Sequence, residues 1–79
     1  MKWDYQAFQE LDWGARALVE WQYGLAGDFQ KHLFETISLA DSHNLNKLAL
    51  GFPDEVGAYR SYTGEEGYWP GIVAAVFPA

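Results

Sequence analysis

Residues 28–59, DFQKHLFETISLADSHNLNKLALGFPDEVGAY, decide the fold of this chain. At the start of this stretch, apolar side chains recur at steps of four, four and three: Phe29, Leu33, Ile37 and Ala40, with Phe34 widening the stripe. That spacing places them on one face of an α-helix. Asp28 stands just ahead of the stripe and belongs to a residue type that caps helices, so the sequence predicts a helix with Asp28 as its N-cap.

A second helix is predicted after residues 41–44, DSHN. These polar side chains indicate a break, because they compete for backbone hydrogen bonds and favour helix caps. The helix that follows carries Leu45, Leu48 and Ala49, and we expect Gly51 to end it in the left-handed conformation.

The clearest helix start in the chain is at residues 52–55, FPDE. Pro53 suits the first helical position, where no amide hydrogen is needed. Asp54 and Glu55 then lie in the first turn, where negative charge meets the positive end of the helix dipole. Gly64 and Gly67 are expected to end this helix in the loop that follows.

The two flanking regions are less sharply defined. Apolar residues at steps of three and four predict helical structure over residues 5–25. Gly14 interrupts this pattern, and Asp12 is of a type that can cap a second helix. The sequence is therefore consistent with one kinked helix or with two short helices. The apolar tail at residues 72–77 is expected to form a short helix or an extended segment. We therefore predict one all-α domain over residues 1–79, with three to five short helices packed at steep angles.

The core of this domain must be built from aromatic side chains. The chain has 79 residues, 18% of them aromatic, and no cysteine, so disulfides and sulfur-ligated zinc are excluded as staples of a thin core. Five aromatic residues fall on helical inner stripes and are predicted to form the core: Phe8, Phe29, Phe34, Phe52 and Tyr59. Trp13 and Trp21 are also assigned to the core.

Charge limits the classes of partner. Eleven acids and five bases give a net charge of −6, divided equally between the two halves of the chain. Without clustered Lys and Arg, direct binding of nucleic acid is not expected, and no apolar run approaches the length of a membrane span. Because no signal peptide is evident, we expect a cytoplasmic protein. Its acidity favours a basic protein partner.

Three groups of residues resemble catalytic or metal sites, and each has a simpler explanation. Asp28, His32 and Glu35 share a helical face and could hold a metal, but a cap and two solvated side chains explain them as well. Asp41-Ser42-His43 has the residue types of a hydrolase triad, yet sequence neighbours rarely converge in that way. The adjacent acids Asp54/Glu55 and Glu65/Glu66 suit exposed helix ends and turns. We predict no catalytic, cofactor or metal site, and no enzyme.

A partner-binding patch is predicted around the second of those acidic pairs. Tyr62, Tyr68 and Trp69 flank Glu65 and Glu66, and are expected to lie at the surface because a core this thin cannot hold every large ring. Tyr and Trp anchor many interfaces, and aromatic faces attract guanidinium groups. The patch therefore predicts an Arg-rich partner.

From about residue 29 to residue 69 the chain resembles a set of small phage and prophage proteins. The shared pattern is matched here by Leu33-Phe34, Ala40-Asp41, Asn44, Lys47-Leu48, Gly51-Phe52-Pro53, Glu55-Val56, Ala58-Tyr59 and Gly67-Tyr68-Trp69. The resemblance implies phage origin and action in the host cell, and it transfers no catalytic residue.

Two functions follow as expectations. The first is a non-enzymatic protein-binding module that acts on a host protein, in its most specific form an anti-CRISPR-like inhibitor occupying the basic groove of a nucleic-acid-binding defence system. The alternative is a structural or regulatory helical protein that forms a homodimer through surface aromatics such as Trp69.

Overall fold

The computed structural model describes residues 3–78, and six α-helices lie in that range. In chain order they are α1 (Tyr5–Glu10), α2 (Trp13–Gln22), α3 (Asp28–Leu39), α4 (Ser42–Gly51), α5 (Pro53–Gly64) and α6 (Tyr68–Val76). The predicted all-α class is confirmed, whereas the predicted count of three to five helices is too low. The difference arises at the two ends of the chain.

At the N-terminal end, the alternative with two short helices is the correct one. The carboxylate of Asp12 accepts a hydrogen bond from the Ala15 amide at 2.8 Å and so begins α2. Leu11 ahead of it has an extended backbone, which ends α1. At the other end the apolar tail is helical, and Gly67 at φ 85° turns the chain into α6 in a conformation that favours glycine.

The predicted helix starts in the middle of the chain hold with small corrections. Pro53 begins α5 with Asp54 and Glu55 in its first turn, and Asp41 caps α4 by accepting from the Asn44 amide at 2.8 Å. Asp28, however, is the first residue of α3, and Gly27 is its N-cap. Gly51 is the last residue of α4, and its φ is not positive, so its predicted left-handed conformation is wrong. The C-cap residue of α4 is Phe52.

Helix α2 lies between two apolar clusters. On one side Leu18 packs with α3 and α5, including the fully buried Phe34 and Val56. On the other side Val19 packs with Ile72 and Val76 of α6. Because α2 contributes to both clusters, its position fixes the relation between the middle of the chain and its ends.

Helices α2 and α5 approach each other closely at Gly14. A Cβ atom at this position would collide with the backbone carbonyl oxygen of Asp54 and would lie 3.1 Å from the Cβ of Ala58. Gly14 therefore does not kink a helix; it lets α5 approach the backbone of α2.

A continuous row of aromatic rings connects the two clusters. Ten rings follow one another with neighbouring centroids 4.3 to 6.4 Å apart: Phe34, Trp21, Tyr59, Tyr62, Trp69, Tyr23, Phe77, Trp3, Phe8 and Tyr5. Pairs at these distances prefer tilted or edge-to-face geometry and add to the free energy of area burial. The row replaces the deeper core that a chain of this length cannot build.

The predicted core aromatics are only partly correct. Phe34 is fully buried, and Phe8, Phe52 and Tyr59 are half-buried against the clusters. Phe29, in the first turn of α3, is 70% exposed, and its ring centroid lies 6.0 Å from that of Phe52.

The two tryptophans assigned to the core also differ. Trp21 is half-buried and stacks on Phe34 with ring centroids 5.1 Å apart. Trp13 is 56% exposed, so its core assignment is wrong.

Candidate protein-binding surface

The aromatic residues of the predicted patch have different neighbours, although all three pack against the same cluster. Tyr62 at the end of α5 and Trp69 in the first turn of α6 meet edge to face, with ring centroids 5.4 Å apart and planes at 87°. Both rings are half-buried against the α2–α3–α5 cluster. Their first role is to join α5 to α6.

Tyr68 turns away from that pair, because consecutive residues of a helix point about 100° apart. It lines an open cavity of about 390 Å³ beside the α2–α5 crossing, together with Asp12, Asp54 and Ser61. Partial burial raises the pKa of the Tyr68 hydroxyl above its usual value, and the carboxylates of Asp12 and Glu65 raise it further. The phenol is therefore held in its neutral form beside two negative charges.

The two predicted acids lie on the turn between α5 and α6, and both side chains are exposed. Glu65 is the C-cap residue of α5, and its backbone carbonyl accepts from the Tyr68 amide at 3.2 Å. The turn therefore holds Glu65 close enough to Tyr68 for its charge to act on the phenol. Of the predicted residues, Glu65 and Tyr68 are therefore neighbours, while the rings of Tyr62 and Trp69 contact each other.

Trp13, which was predicted to lie in the core, is exposed and lines a neighbouring cavity together with Arg16 and Glu20. Its indole Nε1 donates a hydrogen bond to Glu55 Oε2 at 3.3 Å, which joins the first turns of α2 and α5. The guanidinium of Arg16 lies 5.4 Å from the Trp13 ring. The sequence does hold a signal for this exposure: Trp13, Arg16 and Glu20 are three and four residues apart, on the polar face of α2.

We name this surface the acidic–aromatic face and define it by six residues: Asp12, Trp13, Asp54, Glu55, Glu65 and Tyr68. It carries four carboxylates, and it lies where the positive N-terminal ends of α2 and α5 come together. A phenol hydroxyl and several carboxylate oxygens can accept hydrogen bonds from a guanidinium or an ammonium group, and the face of an exposed indole ring can stack on that cation.

The other candidate groups remain separate from this face. His32 Nδ1 lies 3.3 Å from Glu35 Oε2, and both side chains are well exposed. Asp41 is engaged as the cap of α4, and Ser42 and His43 follow it in the first helical turn. Within residues 3–78 no group of three or more His, Asp or Glu side chains is placed to hold a metal ion.

No protein-family model, curated protein or solved structure matches the chain. Over residues 3–78, none of the helices has both the length and the apolar character needed to cross a membrane.

Proposed function

We propose that this chain is a non-enzymatic protein-binding module whose acidic–aromatic face binds an arginine-rich surface of another protein. The observation that carries the proposal is Trp13, which is 56% exposed and hydrogen-bonded to Glu55 among the carboxylates of two helix ends. An exposed indole held in place by a neighbouring helix is a preorganised anchor, and such anchors supply a large share of interface free energy.

The stability of the fold explains the acids, and it explains the indole N–H of Trp13 but not the exposure of its ring. Asp12 caps α2, and Asp54 and Glu55 offset the dipole of α5, so each has a structural role. More than half of the surface of Trp13 is exposed to water. A smaller polar residue in the first turn of α2 would expose less apolar surface. A partner that covers Trp13 would recover that free energy.

The most specific form of the proposal is an inhibitor that occupies the basic groove of a nucleic-acid-binding defence protein. It is supported by the net charge of −6, by the carboxylates gathered at one crossing, and by the resemblance of residues 29–69 to phage and prophage proteins. In this proposal the chain is phage-encoded, acts in the host cytoplasm and competes with nucleic acid for the same groove.

The first test uses a short arginine-rich peptide as a defined probe and amide and indole NMR shifts as the readout. We expect shifts at residues 12–16, 54–57 and 65–68, including the Trp13 indole signal, and their loss at high salt. Shifts distributed evenly over all eleven carboxylates would contradict the proposal, because they would show that net charge alone attracts the peptide.

Two variants separate the indole from the charge. Trp13→Ala is expected to weaken peptide binding by about 30-fold, the effect of an interface anchor worth about 2 kcal/mol. The control Trp13→Phe keeps a ring, loses the hydrogen bond to Glu55 and should weaken binding less. Equal peptide affinity for Trp13→Ala and wild type would exclude Trp13 as the anchor.

The acidic turn gives the matching test of charge. Replacement of Glu65 and Glu66 by lysine should reduce peptide affinity and flatten its salt dependence, because two carboxylates beside Tyr68 become cations. Capture of the peptide at low salt with unchanged affinity would exclude the turn from the binding surface.

A further inference from the structure

A second surface, remote from the acidic–aromatic face, lies between α3 and α4. These helices are joined by only Ala40 and Asp41, yet they hardly touch: α3 packs on α2 and α5, and α4 packs on α5. Between them is an open groove of about 390 Å³ lined by Thr36, Leu39, Ala40, Asn44, Lys47 and Leu48. Most of this lining is apolar.

A protruding leucine stands at the rim of this groove. Leu39, the last residue of α3, is 86% exposed, and it forms one wall of the groove while its side chain projects into water. Neither a cap nor a turn requires a large apolar residue at this position, since the Ala40 amide ends the helix by donating to the Ile37 carbonyl at 3.2 Å. An apolar projection and an apolar cavity thus lie side by side on one face.

The charge of the chain is unevenly distributed around this face. Residues 28–52 carry three carboxylates and two lysines, a net charge of −1, whereas the rest of the chain carries −5. The lining of the groove has one ionised side chain, Lys47, and α4 contains no acid at all. Two copies of this chain, each with a net charge of −6, therefore meet little electrostatic repulsion at this face.

From this arrangement we propose that the α3–α4 groove is a self-association surface, in which Leu39 of each copy enters the groove of the other. The position of the leucine beside its cavity sets the symmetry. A projection far from its cavity produces open chains of molecules, whereas adjacent complementary features close about a two-fold axis into a dimer.

The size of the face sets the strength of the dimer. A stable interface takes about 800 Å² from each partner, roughly a sixth of the 5122 Å² accessible surface of this chain. Two helices of 12 and 10 residues present a smaller face, since they are only about 15–18 Å long. The dimer is therefore weak and depends on concentration, with dissociation in the range of roughly 10 µM to 1 mM.

The test is sedimentation equilibrium of the full chain across that concentration range. The average mass of wild type should rise from 9.0 kDa toward twice that value, and salt should change it little, because few charges lie in the groove. Leu39→Glu should weaken the dimer by about tenfold or more, since the symmetric contact loses two apolar anchors and gains two buried charges.

Leu25→Glu is the matched control. It places the same charge on another exposed leucine, 60% exposed and outside the groove, and should leave the dimer unchanged. Far-UV circular dichroism shows whether each variant folds.

Three results would overturn the proposal: wild type remaining at 9.0 kDa throughout, a wild-type dimer that Leu39→Glu does not weaken, or equal weakening by the two leucine variants. A groove that binds an added amphipathic peptide while the chain stays monomeric would assign the surface to a foreign helix instead.

Discussion

The α2–α5 crossing and the α3–α4 groove are opposite ways of placing two helices. Helices α2 and α5 are separated in sequence by residues 23–52, yet they touch backbone to backbone at Gly14. Helices α3 and α4 are separated by two residues and leave an open groove with Leu39 exposed at its rim. Proximity in sequence therefore does not set helix packing in this fold; the size of the side chain at the contact does.

The same contrast separates the two proposed surfaces by their physics. At the crossing, four carboxylates and Trp13 make a face whose binding depends on charge and weakens with salt. At the groove, apolar side chains and one lysine make a face whose association depends on buried apolar area. A single salt titration that follows both peptide binding and average mass distinguishes the two.

The largest effect is expected on the inner side of α3. Phe34→Ala removes a fully buried ring stacked on Trp21 and should lower the free energy of unfolding by about 3–5 kcal/mol. A chain of this length has a total of roughly 4–12 kcal/mol, so the variant is close to unfolding. Urea denaturation measures the loss, and Phe34→Leu should give an intermediate value.

Phe29→Ala, on the groove side of the same helix, is the control for that loss. Because Phe29 is 70% exposed, its removal should cost no more than about 0.5 kcal/mol. A similar loss at Phe29 and Phe34 would show that the groove side of α3 is covered by other side chains, and would contradict the contrast between the two sides.

The second effect tests the crossing itself. In an isolated helix Ala is favoured over Gly by about 1 kcal/mol, yet Gly14→Ala should lower the free energy of unfolding by about 1–3 kcal/mol, because its Cβ collides with the Asp54 carbonyl. Gly57→Ala, in α5 with open space around the new Cβ, should raise it by up to about 1 kcal/mol. Thermal or urea denaturation of both variants checks the opposite signs.

An equal gain in stability for both variants would mean that α2 and α5 can separate at no cost. In that case the acidic–aromatic face would lose the rigidity that preorganises Trp13, and its proposed affinity for an arginine-rich surface would have to come from charge alone.

Local signals in the sequence were sufficient for the all-α class and for several helix starts, and insufficient for the number of helices and for the surfaces. The cap residues Asp12 and Asp41 and the start at Pro53 act through the backbone within three or four residues, so they can be found without the tertiary structure. The role of Gly14 depends on Asp54, forty residues away, and no local pattern contains it.

The candidate site shows the same limit. Glu65 and Tyr68 lie near each other because a single turn connects them, and this proximity can be predicted from the sequence. Tyr62 and Trp69 were predicted to lie at the surface because the core volume is limited. In the structure both rings instead belong to the row of aromatic rings that connects the two clusters. The exposure of Trp13 was not predicted, because a tryptophan was expected to be buried. The spacing of Trp13 from Arg16 and Glu20, which indicates a polar helical face, was given less weight.

A third effect compares the two caps. Asp12→Ala and Asp41→Ala each remove one side-chain hydrogen bond of 2.8 Å to an amide in the first helical turn, and each should cost about 1 kcal/mol. They should differ in function: only Asp12→Ala should weaken binding of an arginine-rich peptide, since Asp41 lies outside the acidic–aromatic face. Weakening of equal size by both would show that net charge, and not this face, attracts the peptide.

The smallest effect is the pH dependence contributed by Tyr68. Its pKa is raised in the folded chain by partial burial, by Asp12 and by Glu65, whereas an unfolded chain ionises its tyrosines near pH 10. As pH rises above about 10, the unfolded state loses this proton first, so the folded state is destabilised progressively until Tyr68 ionises as well.

Tyr68→Phe should remove that part of the loss, and urea denaturation on either side of pH 10 measures the difference between wild type and variant. Asp12→Asn should reduce the loss, because it removes one of the two charges facing the phenol while keeping an oxygen that can cap α2. Asp41→Asn makes the same change at the cap of α4 and should have no effect on it. An alkaline loss that is identical in wild type and Tyr68→Phe would show that neither burial nor the two carboxylates act on the Tyr68 hydroxyl, and would separate Glu65 from the acidic–aromatic face.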